Sequence, residues 1–430
     1  MNQEERRQRR QQDTKHAVVV FVVFVLFAVL LVAGAVFALN KFVFQHRQKE
    51  EPPMAVTEEM ENTSDTEEIT APVVPVVDPL TQQAAEFVAG MTLEDKVAQL
   101  FMITPEALTG FSNVTAAGDT TKEAYNSRPV GGLIYMSGNL KDTEQTTAML
   151  TNMKSFAQER TGLLPFLGVD EEGGSVTRIA SNSAFGVTDV GDMSAIGATG
   201  DAQNAYNAGT VIGTYLKQLG FNVDFAPVAD VLTNPDNTVI GSRSFGADSQ
   251  LVSAMVTSEL AGLTDQGVYG AVKHFPGLGS ASADPHDGAV TSEKTIDELM
   301  AEELVPFRSA IDSGVSFVMV GHISLPNVTG DNTPASLSYK LITEVLREQL
   351  GYNGIVITDG MNMGAITGNY TADQAAVTAI LAGADMILMP QDYQTAYNGV
   401  LGAVQSGTIT EERLNESVTR IVKVKLQMGQ

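Results

Sequence analysis

The stretch Lys273-His274-Phe275-Pro276-Gly277-Leu278-Gly279, followed by Asp284-Pro285-His286, holds two of the three histidines beyond residue 50. A histidine two residues from an aspartate, among Gly, Ser and Ala, is suited to proton transfer, because a carboxylate orients the ring. Asp359 follows the apolar run Ile355-Val356-Ile357-Thr358 and precedes Gly360. A carboxylate so placed can attack an anomeric carbon, accept a proton or bind a metal. Taken together, the two segments supply both halves of a double-displacement hydrolase. Each also has a plainer reading. Asp-Gly is a common turn pair, and a single loop histidine can be a surface residue.

Two further segments carry polar groups suited to a ligand. Asp170-Glu171-Glu172-Gly173-Gly174-Ser175-Val176-Thr177-Arg178 joins a carboxylate to two glycines that let backbone approach closely. Asp170 can accept hydrogen bonds from vicinal sugar hydroxyls. The three acids could instead gather a metal, although no histidine stands at close ligand spacing; Glu171 reads more simply as a solvated acid. Arg243, in Gly241-Ser242-Arg243-Ser244-Phe245-Gly246, is a long donor for hydroxyl or carbonyl oxygens, or else one half of a structural salt bridge.

Such residues need a frame. From residue 80 onward, short apolar runs rich in β-branched residues alternate with longer amphipathic ones, which predicts parallel strands joined by helices. The strand candidates are Ala98–Ile103, Gly132–Met136, Phe166–Val169, Asn222–Ala226, Val268–Lys273, Val315–Val320, Gly354–Thr358 and Asp385–Met389. The helix candidates include Ala202–Leu219, Gln250–Gln266, Ile296–Ser313, Ser338–Leu350, Thr371–Gly383 and Glu411–Met428. An α/β fold with a TIM-type (β/α)8 barrel follows, since Asp170, Lys273, His274, His322 and Asp359 all stand where strand-like runs stop. In a doubly wound open sheet the same residues would be spread along an edge.

Composition narrows the function. The 430 residues contain no cysteine, which excludes disulfides and thiolate chemistry, and the net charge of -25 argues against nucleic-acid binding. At the start, residues 1–16 form a basic tail and Ala17–Leu39 an uninterrupted apolar run of 23 residues. That run predicts a single transmembrane helix, N-terminus cytoplasmic and the remainder outside the cell, rather than a cleaved signal peptide. Residues 40–79, acidic and Pro-containing, read as an unstructured tether to a catalytic unit at 80–430.

Six segments in order resemble glycoside hydrolase family 3, and within it the single-domain β-N-acetylhexosaminidases of the NagZ type. They are Val169-Asp170-Glu171-Glu172-Gly173-Gly174, Asn222-Val223-Asp224-Phe225-Ala226-Pro227-Val228-Ala229-Asp230, Arg243-Ser244-Phe245-Gly246, Lys273-His274-Phe275-Pro276-Gly277, Asp284-Pro285-His286 and Thr358-Asp359-Gly360-Met361. The resemblance implies Asp359 as nucleophile and His286 as acid/base oriented by Asp284. It implies that Asp170, Arg178, Arg243, Lys273 and His274 hold the first sugar, with no metal or cofactor and a monomeric catalytic unit. Many relatives differ at Ser175, Leu278 and Ser280, where they carry arginine, histidine and aspartate. The expectation is a retaining exo-β-N-acetylglucosaminidase acting on peptidoglycan fragments or other amino-sugar glycans. A β-glucosidase or β-xylosidase, a phosphorylase of the same fold, a metal-dependent barrel hydrolase and a non-catalytic sugar-binding protein are the rivals.

Overall fold

The structure, a computed structural model, describes residues 78–281, 284–286 and 288–429. Among the described residues there are ten short strands: β1 (Phe101–Ile103), β2 (Gly132–Ile134), β3 (Phe166–Val169), β4 (Val223–Asp224), β5 (Tyr269–Phe275), β6 (Val290–Thr291), β7 (Phe317–Val320), β8 (Ile323–Ser324), β9 (Ile355–Thr358) and β10 (Ile387–Leu388). Eight of them form one parallel sheet in the order β10-β1-β2-β3-β4-β5-β7-β9. A parallel bridge between Ile357 and Met386 joins the two ends, with the Thr358 amide donating to the Met386 carbonyl at 3.0 Å. The sheet is thereby a closed barrel of the TIM type.

All eight expected strands occur, several trimmed at their ends. Their residues are mostly apolar and buried because helices cover the outer face while side chains fill the bore. Phe166 of β3 and Phe317 of β7, from strands that are not sheet neighbours, meet edge to face with ring centres 5.1 Å apart. That contact runs across the bore. Gly168 has no side chain because a Cβ there would lie 2.6 Å from Met102 and 3.0 Å from Phe225.

Two differences from the sequence-based elements have local causes. The expected helix Ile296–Ser313 is two helices, Ile296–Ala301 and Leu304–Asp312. Pro306 lacks the amide that would bond the Glu302 carbonyl, and its ring crowds that carbonyl, so a continuous helix is barred. A small parallel pair, β6 with β8, was not expected and sits beside the barrel mouth.

The expected transmembrane helix is corrected by the structure: among the described residues, no helix is long and apolar enough to cross a membrane. The longest, Thr143–Thr161, Ala202–Leu219 and Glu411–Met428, bury one face on the barrel and present polar groups on the other. The run 17–39 behind that expectation lies outside the described residues, as do the basic tail 1–16 and nearly all of the segment 40–79.

Candidate active site

The polar residues of the mouth are delivered by strand ends. Asp170 directly follows β3, Lys273 and His274 lie within β5, His322 follows β7 and Asp359 follows β9. β7 and β9 run in register from Phe317↔Ile355 to Val320↔Thr358, so His322 and Asp359 leave the sheet on the same side. Between β5 and β7 the register advances from Val272↔Val318 to Phe275↔Val320, one extra residue on β5. A strand normally sends neighbouring side chains to opposite faces; this bulge re-aims them, and both Lys273 and His274 line the mouth.

The mouth encloses a cavity of about 420 Å³ lined by Asp170, Arg178, Arg243, Lys273, His274, His286 and Asp359. Of the eight residues expected from sequence, only Asp284 does not line it. Asp284 stands behind His286, its carboxylate 2.8 Å from the ring Nδ1 and 2.8 Å from the His286 amide. Burial works against the Asp284 charge, but those two bonds and the His286 ring hold its pKa below the ordinary value. The loop is docked on the Asp359 side of the mouth. Gly364 and Ala365, just beyond Asp359, donate their amides to the His286 and Pro285 carbonyls at 3.2 and 3.1 Å.

The floor is a charged lattice centred on Glu172. Its carboxylate takes both the Nε and Nη2 of Arg243 at 2.8 Å, and Lys273 Nζ at 2.6 Å. Lys273 also reaches Asp170 at 2.9 Å, and Arg178 Nη2 approaches the other Asp170 oxygen at 3.4 Å. Burial alone would raise the pKa of Glu172, yet the adjacent Lys273 and Arg243 charges bring it down to about 2. Asp170 and Glu172 share Lys273 while Glu171 is bonded to the amides of Arg178, Ile179 and Ala180 and to the Tyr215 hydroxyl, so among the described residues the three carboxylates do not gather into one metal site. Glu171, expected to be solvated, is fully buried.

Asp230, to which the sequence reading gave no role, orients His274. Its carboxylate lies 2.7 Å from His274 Nδ1 and accepts the Leu278 amide at 2.6 Å. On the far side, Arg243 Nη2 stands 3.4 Å from His274 Nε2. Arginine can only donate, so Nε2 is the acceptor and Nδ1 carries the hydrogen. His322 braces the turn after β9. Its Nε2 donates to the Gly360 carbonyl at 3.0 Å and its Nδ1 accepts from Ser336 at 2.8 Å, while burial lowers its pKa. The turn carrying Asp359 is held in this way, and the Gly360 amide donates to Asp359 Oδ1 at 2.7 Å. Burial opposes the Asp359 charge, but His274, His322, that amide and Lys273 keep its pKa below the ordinary value. Asp230 and His322 each stand just past an apolar run, a signal the sequence did offer.

The glycosyl hydrolase family 3 N terminal domain matches residues 92–424. The chain belongs to glycoside hydrolase family 3. Among family 3 relatives, the beta-hexosaminidase LpqI of Mycobacterium tuberculosis is 33% identical over 84% of this chain and 91% of its own length. Beta-hexosaminidase A of Pseudoalteromonas piscicida is 33% identical over 70% of this chain, which spans only 54% of that protein. A family 3 beta-N-acetylglucosaminidase structure from Paenibacillus sp. str. FPU-7 matches with a TM-score of 0.74 and 39% identity, covering 79% of this chain and 63% of that one.

Proposed function

We propose that this family 3 protein is a retaining exo-β-N-acetylglucosaminidase, releasing terminal N-acetyl-β-D-hexosamine from amino-sugar glycans such as peptidoglycan fragments. The observation that carries the reading is one cavity lined by a strand-end carboxylate, a carboxylate-oriented histidine and a lattice of fixed donors and acceptors. The relatives named beta-hexosaminidase and beta-N-acetylglucosaminidase support the amino-sugar class.

In this reading Asp359 attacks the anomeric carbon while His286 donates a proton to the departing oxygen, giving a covalent glycosyl-enzyme. His286 then takes a proton from water, which attacks the same carbon and restores the original configuration. With Nδ1 turned to Asp284, His286 keeps Nε2 for both transfers. Asp170, Arg178, Arg243, Lys273 and His274 bind the hydroxyls of the sugar, their positions set in advance by the Glu172 and Asp230 contacts.

The test is turnover of p-nitrophenyl N-acetyl-β-D-glucosaminide beside the β-glucoside, with and without phosphate, for the protein and for Asp359→Ala. Preferred turnover of the acetamido sugar in water, reduced by about 10⁴-fold or more in the variant, is expected. Faster turnover of the glucoside, dependence on phosphate, or no turnover of either sugar would overturn the assignment.

A further inference from the structure

We infer that Glu171 is a positioning residue that holds Arg178 at the sugar-binding cavity; the inference rests on the proposed role of that cavity. Glu171 Oε2 accepts the amides of Arg178 and Ile179 at 2.7 and 2.9 Å. Its Oε1 accepts the Ala180 amide at 2.8 Å and the Tyr215 hydroxyl at 2.9 Å. Four donors surround a carboxylate with 0% exposure, so its acceptor sites face protein rather than water.

What those bonds hold is a reversal of the chain. After Glu171 the backbone turns through Gly173 and Gly174, both at positive φ, and the Glu172 amide donates to the Val176 carbonyl at 2.9 Å. Arg178 consequently returns beside Asp170, eight residues earlier. A Cβ at Gly174 would lie 2.2 Å from Asp192 Oδ1 and 3.0 Å from its Cα, so the turn packs closely against Asp192. The anchor falls on the backbone amide of Arg178 itself. From there the guanidinium reaches the cavity, with Nη2 3.4 Å from Asp170 and a buried Nε without a partner among the described residues. A buried donor left unpaired is costly unless a ligand oxygen meets it. Arg178 is thus a donor in waiting, and Glu171 keeps it at that place. Tyr215 ties the same carboxylate to the helix Ala202–Leu219, so the loop is referenced to the barrel wall and not only to itself.

A glutamine at 171 keeps the shape but turns one acceptor into a donor facing donors. The test is a double-mutant cycle of Glu171→Gln with Arg178→Ala, reading kcat/KM on whichever aryl β-glycoside the unsubstituted protein turns over. The calorimetric Kd of N-acetylglucosamine is read in parallel. Glu171→Gln is expected to lower kcat/KM and weaken sugar binding about 10- to 100-fold alone, and to change neither by more than about twofold once Arg178 is absent. Tyr215→Phe, which deletes a single donor and keeps the carboxylate, is expected to give a smaller loss with the same dependence on Arg178. Equal losses in both backgrounds, or unchanged binding and activity in Glu171→Gln and Tyr215→Phe, would overturn the inference. The substrate preference of the unsubstituted protein judges the proposed function separately. If no glycoside is turned over, the binding cycle still decides the role of Glu171.

Discussion

Glu172 has almost no contact with solvent and balances two cations, so its removal leaves Lys273 and Arg243 facing each other without the carboxylate between them. Glu172→Gln is expected to cost about 3–5 kcal/mol, read as a lower urea midpoint at neutral pH. The pH dependence has a definite sign. Its folded pKa of about 2 is below the ordinary 4.5, so the stabilisation is present above 4.5 and is lost as pH falls toward 2. The difference between variant and parent should shrink over that interval; a constant difference would count against the ion pairs as its source. Asp359 also has a lowered pKa, and it must be ionised to attack. The acid limb of kcat/KM in the proposed reaction is therefore expected below pH 3.8. A limb above that value would belong to another group.

The helices Ala202–Leu219 and Ser249–Asp265 approach closely because glycines face backbone across the contact. A Cβ on Gly262 would lie 2.3 Å from the Tyr206 carbonyl oxygen, and one on Gly209 would lie 2.3 Å from that of Glu259. Gly262→Ala should therefore cost about 1–3 kcal/mol by overpacking. Gly402→Ala, on an exposed helix position with nothing within 4 Å, should instead stabilise by about 0.5–1 kcal/mol. Thermal melts of the pair check the argument, since opposite signs are required. The second helix also buries Glu259, whose carboxylate oxygens have no partner in the described structure, and burial pushes its pKa up to about 8. Between 4.5 and 8 the folded state binds the proton better than the unfolded state, so stability falls as pH rises. Glu259→Gln is expected to flatten that decline and to gain most at its upper end.

At the scale of the molecule, the barrel must hold the seam between its last two strands. Asp385, fully buried just ahead of β10, accepts the Val356 amide at 2.9 Å, Arg347 at 2.5 Å, Ser417 at 2.7 Å and Arg420 at 3.2 Å. One carboxylate thereby ties β9, the helix Lys340–Gln349 and the terminal helix Glu411–Met428 to the closing strand. Burial opposes its charge, but Arg347, Arg420 and Arg413 keep the pKa below 3.8. Asp385→Asn is expected to cost about 3–5 kcal/mol and to loosen the seam. Hydrogen exchange should quicken in β9, β10 and the terminal helix together; exchange unchanged there would separate this carboxylate from closure.

The sequence by itself determined the eight strands, several of the helices and the side chains at the mouth. Each strand is a short run whose burial on both faces demands apolar residues, and a polar residue where such a run ends is visible in one dimension. The break before Leu304 departs from the expected continuous helix, although its cause, Pro306, acts only on its own neighbours. The contacts that organise the mouth were not legible. Glu172 meets Arg243 across 71 positions, His274 meets Asp230 across 44, and Glu171 meets Tyr215 across 44. No hydrophobic period marks such pairs, so Glu171 looked like a solvated acid until closure of the barrel enclosed it. Chain-local patterns state what an element must bury; only the closed barrel decides which buried charges share a neighbour.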